Sequence, residues 1–271
     1  MIAFESVTHR YRASAAPALD GVTIAFAAGE LTAIVGANGS GKSTLARLCD
    51  GLLLPTAGRV LVEGLDTADP VHLWDIRALV GMVFQDPDDQ IVGTVVEEDC
   101  AFGPENVGLA PEEIRRRVDE SLAAVGLTGL ERREPHLLSE GQKQRLAVAG
   151  AMAMRPRFLV LDEPTAMLDP QGRRSVMAVV EALAHESGHG VVLITHDASA
   201  LSRVDRVVGL EAGRVVYDAD AAGVLGDDAL MARLGLELPP VGLLAAELRR
   251  SGLPVPLTAL DAESVVAALW H

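Results

Sequence analysis

Aromatic residues make up only 3% of this 271-residue chain, cysteine occurs twice, and no run of about 18 uninterrupted apolar residues is present. Each scarcity removes a class of protein. Cys49 and Cys100 lie far apart, outside any Cys-x-x-Cys pattern and without histidine at ligand spacing, so neither a metal site nor a disulfide framework is expected. Two reduced thiols in a cytosolic protein are the expectation instead. The opening "MIAFESVTHRYR" has no apolar stretch behind a basic start, so neither membrane crossing nor export is expected, although docking on a membrane protein stays open. Cations are also short: 23 Lys and Arg against 38 Asp and Glu leave a formal charge of -15. That balance argues against a protein that holds DNA or RNA by neutralising backbone phosphates. Apolar residues are what the chain does have. At 49% they allow one large α/β domain with an appendage, or two unequal domains, and exclude wholesale disorder.

Short β-branched runs alternate with longer helical patterns: "LTAIVG", "FLVLDEP", "GVVLITHD" and "RVVGLEAGRVVYD". This predicts a largely parallel sheet with helices packed on it. The start differs, because "AFESVTHRY" and "ALDGVTIAFAAGE" read as antiparallel strands with Asp20-Gly21 and Ala28-Gly29 marking turns. Between Gln85 and Phe158 the texture is helical, and "PEEIRRRVDESLAAVGL" sets Ile114, Val118, Leu122 and Val125 at helical spacing before a stop at Gly126. A helical subdomain over residues 86–157, inserted into a domain spanning 1–220, is therefore expected. Beyond it, 221–271 reads as a C-terminal extension. Two short amphipathic helices are predicted there, near 241–250 and 260–270, the second opened by Thr258 with Asp261 three residues on.

Residues 36–44, "GANGSGKST", match G-x-x-x-x-G-K-[ST] between a strand and a helix. Gly36, Gly39 and Gly41 let backbone N–H groups around Asn38 and Ser40 curl about a phosphate, and the helix N-terminus adds its positive end. Lys42 can reach the β- and γ-phosphates, Ser43 offers a hydroxyl to Mg²⁺, and Thr44 closes the motif. By itself this loop fits kinases, GTPases and motors equally. The strand "FLVLDEP" then ends in Asp162 and Glu163, adjacent carboxylates that are costly to bury without a metal or substrate to meet. Asp162 suits Mg²⁺ coordination through water, and Glu163 suits polarisation of an attacking water.

With "LSEGQKQR" at 138–145 upstream of "RFLVLDEP", residues 2–220 resemble the ATP-binding cassette family, and the motifs run in that family's order: phosphate loop, Gln85, signature, "LVLDEP", "AMLD", "ITHD". The resemblance implies an α/β P-loop NTPase cassette: a mixed-sheet core, antiparallel N-terminal strands, an inserted helical subdomain and here a small helical extension. It implies that Tyr11 stacks on adenine, that Gln85 touches Mg²⁺ and the water near the γ-phosphate, and that His196 contacts the γ-phosphate. Asp169 would lie at the junction between two cassettes. "SEGQ" reads as a capping box opening a helix, with Ser139 as cap and Gln142 at the third position. Its free N–H groups, with Gly141, would face the ATP of a second cassette, so that two chains sandwich two ATP molecules. Glu140 stands where the family's commonest signature has glycine, and is expected to turn away from the nucleotide.

Chromosome and repair members insert a long coiled coil between Gln85 and the signature, and translation-factor members carry two cassettes; residues 86–137 show no sustained heptad and the chain has one cassette. "VFQDPDDQIVGTVVEEDCAFGPENVGL" and the tail "LELPPVGLLAAELRRSGLPVP" resemble the ATPases of energy-coupling factor importers, which take up vitamins and nickel or cobalt ions. Other transporter classes and soluble members are the alternatives. That resemblance implies a peripheral protein on the cytoplasmic face of the membrane, paired with a second ATPase chain, homologous or identical. Its other partners would be an integral membrane subunit with basic coupling helices and a substrate-binding membrane subunit, with no nucleic acid. Asp86, Asp88, Asp89, Glu97, Glu98 and Asp99, a stretch free of lysine and arginine, would face those helices. Leu244, Leu248, Val265, Val266 and Leu269 of the extension could fold onto the core or onto a partner.

Overall fold

The computed structural model describes residues 1–12 and 14–270. Its centre is a six-stranded sheet built from β3 (Leu31–Val35), β6 (Val80–Val83), β7 (Phe158–Asp162), β8 (Gly190–Ile194), β9 (Arg206–Glu211) and β10 (Arg214–Ala219), in the order β10-β9-β3-β8-β7-β6. Neighbours are parallel except β10, which pairs antiparallel with β9. Ala212 and Gly213 link those two strands, both with positive φ as a tight two-residue hairpin requires. A second, antiparallel sheet runs β2-β1-β4-β5, from β2 (Leu19–Phe26), β1 (Ile2–His9), β4 (Ala57–Val62) and β5 (Leu65–Asp66).

Strands β3, β7 and β8 are buried along their whole length because both faces of the sheet are covered. The pleat divides their side chains. Ile34, Val160, Val192 and Ile194 pack with the antiparallel sheet and with Leu45 and Leu48 of α1 (Lys42–Cys49). Leu31, Leu159, Leu161, Val191 and Leu193 face the other way, into α3 (Val96–Asn106), α4 (Pro111–Ala124), α5 (Glu140–Ala153) and α6 (Pro170–His185). The inserted helices thus share one continuous core with the sheet. A short α2 (Leu73–Leu79) leads into β6.

Three expectations need correction. Asp20-Gly21 makes no turn: it lies inside β2, where Gly21 takes a left-handed φ of 64° beside a register shift, and residues 10–18 link β1 to β2. The extension holds four helices, α7 (Ala221–Leu225), α8 (Asp228–Leu234), α9 (Pro240–Arg250) and α10 (Ala262–Leu269). Asp261, not Thr258, caps α10, its Oδ1 accepting from Ser264 N at 2.8 Å. The first two helices belong to the sheet. Val224, Leu225, Leu230, Met231 and Leu234 bury against Ala33, Val35 and Val207. Only α9 and α10 form a cluster of their own, around Ala245, Val255, Ala259 and Val265.

Candidate functional site

The C-terminal ends of β3, β7 and β8 open on one cleft of about 860 Å³, where an open parallel sheet places its ligand. The phosphate loop supplies its floor. Gly41 precedes α1 with φ 107°, and a side chain there would meet the Ala18 carbonyl at 2.4 Å, so only glycine lets the loop bend so close. No side chain caps α1, which leaves its first N–H groups free for an anion. Lys42 curls over the loop, its Nζ donating to Gly36 O at 2.7 Å and Ala37 O at 3.2 Å. Ser40 is buried, with no partner for its Oγ among the described residues. An orphaned hydroxyl, free helix N–H groups and a glycine cradle fit a polyphosphate.

Gln85, Glu163 and His196 line the same cleft, from the ends of β6, β7 and β8. His196 Nδ1 lies 3.1 Å from Glu163 Oε2. Glu163 holds a left-handed φ of 50°, rare for a residue with a side chain, and its N–H donates to Ile194 O at 3.0 Å. That strain aims the carboxylate into the cleft. Asp162, one residue earlier, is buried; burial pushes its carboxyl above the usual range, the Ser43 hydroxyl draws it back, and Glu163 adds to the rise. Burial likewise lowers the Lys42 ammonium, while Glu163 and Asp162 pull it back up. One hydroxyl and one carboxylate are too few for a dedicated metal cage, and no cluster of three metal-ligating side chains exists among the described residues. Such a sparse donor pair fits Mg²⁺, which keeps its waters and takes further oxygens from phosphate. Tyr11 lines the rim, with its ring edge-on to His9 at 4.8 Å between centroids and its hydroxyl 3.1 Å from Thr44 Oγ1.

The signature lies elsewhere on the chain. Ser139, Gly141, Gln142 and Asp169 line a second cleft of about 420 Å³, separate from the first. The capping box is formed: Ser139 Oγ accepts from Gln142 N at 3.3 Å, and Gln142 Oε1 accepts from Ser139 N at 2.9 Å. Asp169 caps α6, accepting from Gly172 N at 2.6 Å. Glu140 borders this cleft, and its carboxylate pairs with Lys143 Nζ at 3.1 Å, which offsets its charge. The same ammonium reaches Asp88 Oδ2 at 2.8 Å.

The acidic stretch is more occupied locally than its charge suggests. Asp86 caps a 3-10 turn at residues 87–89, Asp99 Oδ1 accepts from Val92 N and Gly93 N at 2.7 and 2.9 Å, Glu98 takes the Thr94 hydroxyl, and Glu97 lies 3.5 Å from Arg115. Gln90 is a residue that sequence reasoning passed over. It pins the Gln85 segment to β6, donating to Met82 O and accepting from Phe84 N, each at 3.1 Å. Gly235 was missed too: it follows α8 with φ 67°, lines the nucleotide cleft and packs against Ala37 of the phosphate loop.

Comparison with known proteins agrees with this geometry. The ABC transporter family profile matches residues 19–166. The energy-coupling factor transporter ATP-binding protein EcfA1 of Symbiobacterium thermophilum is 56% identical over 93% of this chain and 88% of its own, and the cobalt import ATP-binding protein CbiO of Syntrophus aciditrophicus is 44% identical over 98% and 94%. Among solved structures, cbiO1 from Clostridium perfringens, part of the ABC transporter complex cbiONQ, aligns with TM-score 0.78 at 36% identity, covering 90% of this chain and 98% of that one. The dimeric cassette MJ0796 bound to ADP and Pi aligns at TM-score 0.74 and 30% identity, covering 82% and 99%. A phosphate-loop cleft and a separate signature cleft on one α/β core, with relatives this similar across nearly the whole chain, make this protein a member of the ABC transporter ATPase family, in its energy-coupling factor branch.

Proposed function

We propose that this chain binds and hydrolyses ATP to power an energy-coupling factor importer, lying on the cytoplasmic face of the membrane against an integral membrane subunit, with a vitamin or a nickel or cobalt ion as cargo. One observation carries the reading. Phosphate loop, Gln85, Glu163 and His196 share one cleft, while the signature N-terminus opens on another, so each chain holds two halves of different sites. Two chains facing each other would complete both. Lys42 then meets the β- and γ-phosphates; Ser43, Gln85 and Asp162 would hold Mg²⁺, which would neutralise charge on the phosphate oxygens. Glu163 orients water and takes its proton, and His196 steadies Glu163 and the γ-phosphate. Ser139 and Gly141 of the facing chain close over the phosphate from the other side. Glu163→Gln should bind ATP, accumulate as a closed dimer by light scattering, and turn over about 10²- to 10⁴-fold more slowly; wild-type turnover in that variant would refute the assignment.

The membrane contact is proposed at the acidic surface next to Gln85. Glu97, Glu98 and Glu105, with Arg115 beside Glu97, line a groove of about 320 Å³ between α3 and α4 together with Ala101, Ile114 and Val118. This apolar and acidic lining suits a basic amphipathic helix. The extension is proposed to pair ATPase chains through α9 and α10, which leave Leu243, Leu244, Val266 and Trp270 exposed. A cut after Leu238 removes these helices, together with Leu257 and Leu260 at the margin of the cluster under α7 and α8, and keeps the rest of that cluster. The shortened chain should stay folded and be monomeric without ATP; a dimer of unchanged stability would refute the pairing role.

A further inference from the structure

Arg173 occupies an odd place for a cation. It lies in the first turn of α6, where the helix dipole disfavours positive charge, and no acidic residue is present in that turn. Its side chain leaves the helix for two loops. Nε donates to Leu168 O at 3.0 Å, in the segment that ends at Asp169, and Nη1 reaches Asp197 Oδ2 at 3.4 Å. Asp197 follows His196 directly and is itself tied down: its Oδ1 accepts from Ser199 N and Oγ at 2.9 and 2.6 Å, its N–H donates to Thr195 Oγ1 at 3.0 Å, and its backbone bridges to Glu237 of the extension. Arg173 also borders the small space behind Glu163 and His196.

We infer that Arg173 is a positioning residue for hydrolysis: its guanidinium ties the junction loop at Leu168 to the His196 loop through Asp197, so that docking of a second chain at Asp169 sets the orientation of His196 against Glu163. The inference rests on the roles proposed for His196 and Asp169. A planar fork with two donors at fixed angles makes both bonds, and a lysine ammonium reaches one of them at a time. Arg174, its neighbour, makes no side-chain hydrogen bond among the described residues and serves as the control.

The test is steady-state ATPase of the purified full chain beside ATP binding by the same preparation. Arg173→Met should lower kcat about 10- to 100-fold, the scale on which misplaced catalytic groups lose rate, with ATP affinity held within about twofold. Arg173→Lys should recover little of the loss, and Arg174→Met should keep the full rate. Asp197→Asn should lower kcat as well, and joining it to Arg173→Met should add less than about twofold, because both changes break one link. Wild-type kcat in Arg173→Met, or losses that multiply in the double variant, would overturn the inference. Should Arg173→Met fail to fold, Arg173→Gln carries the same comparison. Normal turnover in Glu163→Gln would instead strike at the site reading itself, whereas an inactive Glu163→Gln beside an unimpaired Arg173→Met strikes at Arg173 alone.

Discussion

The two clefts of this chain each open on a helix N-terminus and differ in the side chains around it. Each has a helix N-terminus, α1 in one and α5 in the other. The first adds a buried ammonium and the Glu163 carboxylate just past the end of β7, beside the buried Asp162, and its helix carries no side-chain cap. The second has a closed capping box, with Ser139 exposed, and its two carboxylates are both engaged, Glu140 by Lys143 and Asp169 as the cap of α6. On the function proposed above, the first cleft would grip and react and the second would complete a phosphate cage. Burial follows the same division: Lys42, Ser40 and Asp162 are buried in the single chain, whereas Ser139 is exposed and Gly141 and Gln142 are half-buried.

Substitutions can break that contrast in graded steps. Lys42→Ala should act hardest, weakening ATP binding by the isolated chain about 10- to 100-fold through loss of a charge-assisted contact of about 1.5–3 kcal/mol, with the fold kept; nucleotide titration measures it. Ser139→Ala should leave that affinity within about twofold and lower kcat about tenfold, the cap loss costing about 1 kcal/mol of helix stability. An affinity loss in the isolated chain would erase the distinction between the clefts. Glu140→Gly should do least, changing ATP affinity of the paired chains by less than about twofold, since Lys143 already compensates the charge at 3.1 Å. A sharp gain in affinity would mean that Glu140 repels the nucleotide.

What the sequence reveals follows the range of the interactions involved. The phosphate loop, the capping box at Ser139 and the strand ending in Asp162 and Glu163 are legible because each is a local pattern set by a few adjacent residues. Helices α7 and α8 escape notice because glycines punctuate them and their leucines are ordered by strands β3 and β9, far off in sequence. Asp20-Gly21 misleads for a related reason: a turn dipeptide inside a strand is read correctly only once the bulge against β1 is known. The acidic stretch looked unpaired because its cations, Arg115 and Lys143, come from α4 and α5.

Glu163 sits on a backbone that glycine would occupy at lower cost, for left-handed φ strains residues with a side chain by about 1 kcal/mol or more. Selection for stability and selection for turnover therefore pull apart at a single dihedral angle. In a population of this gene evolving under heat alone, with no demand for transport, position 163 is one where the acid should give way to glycine.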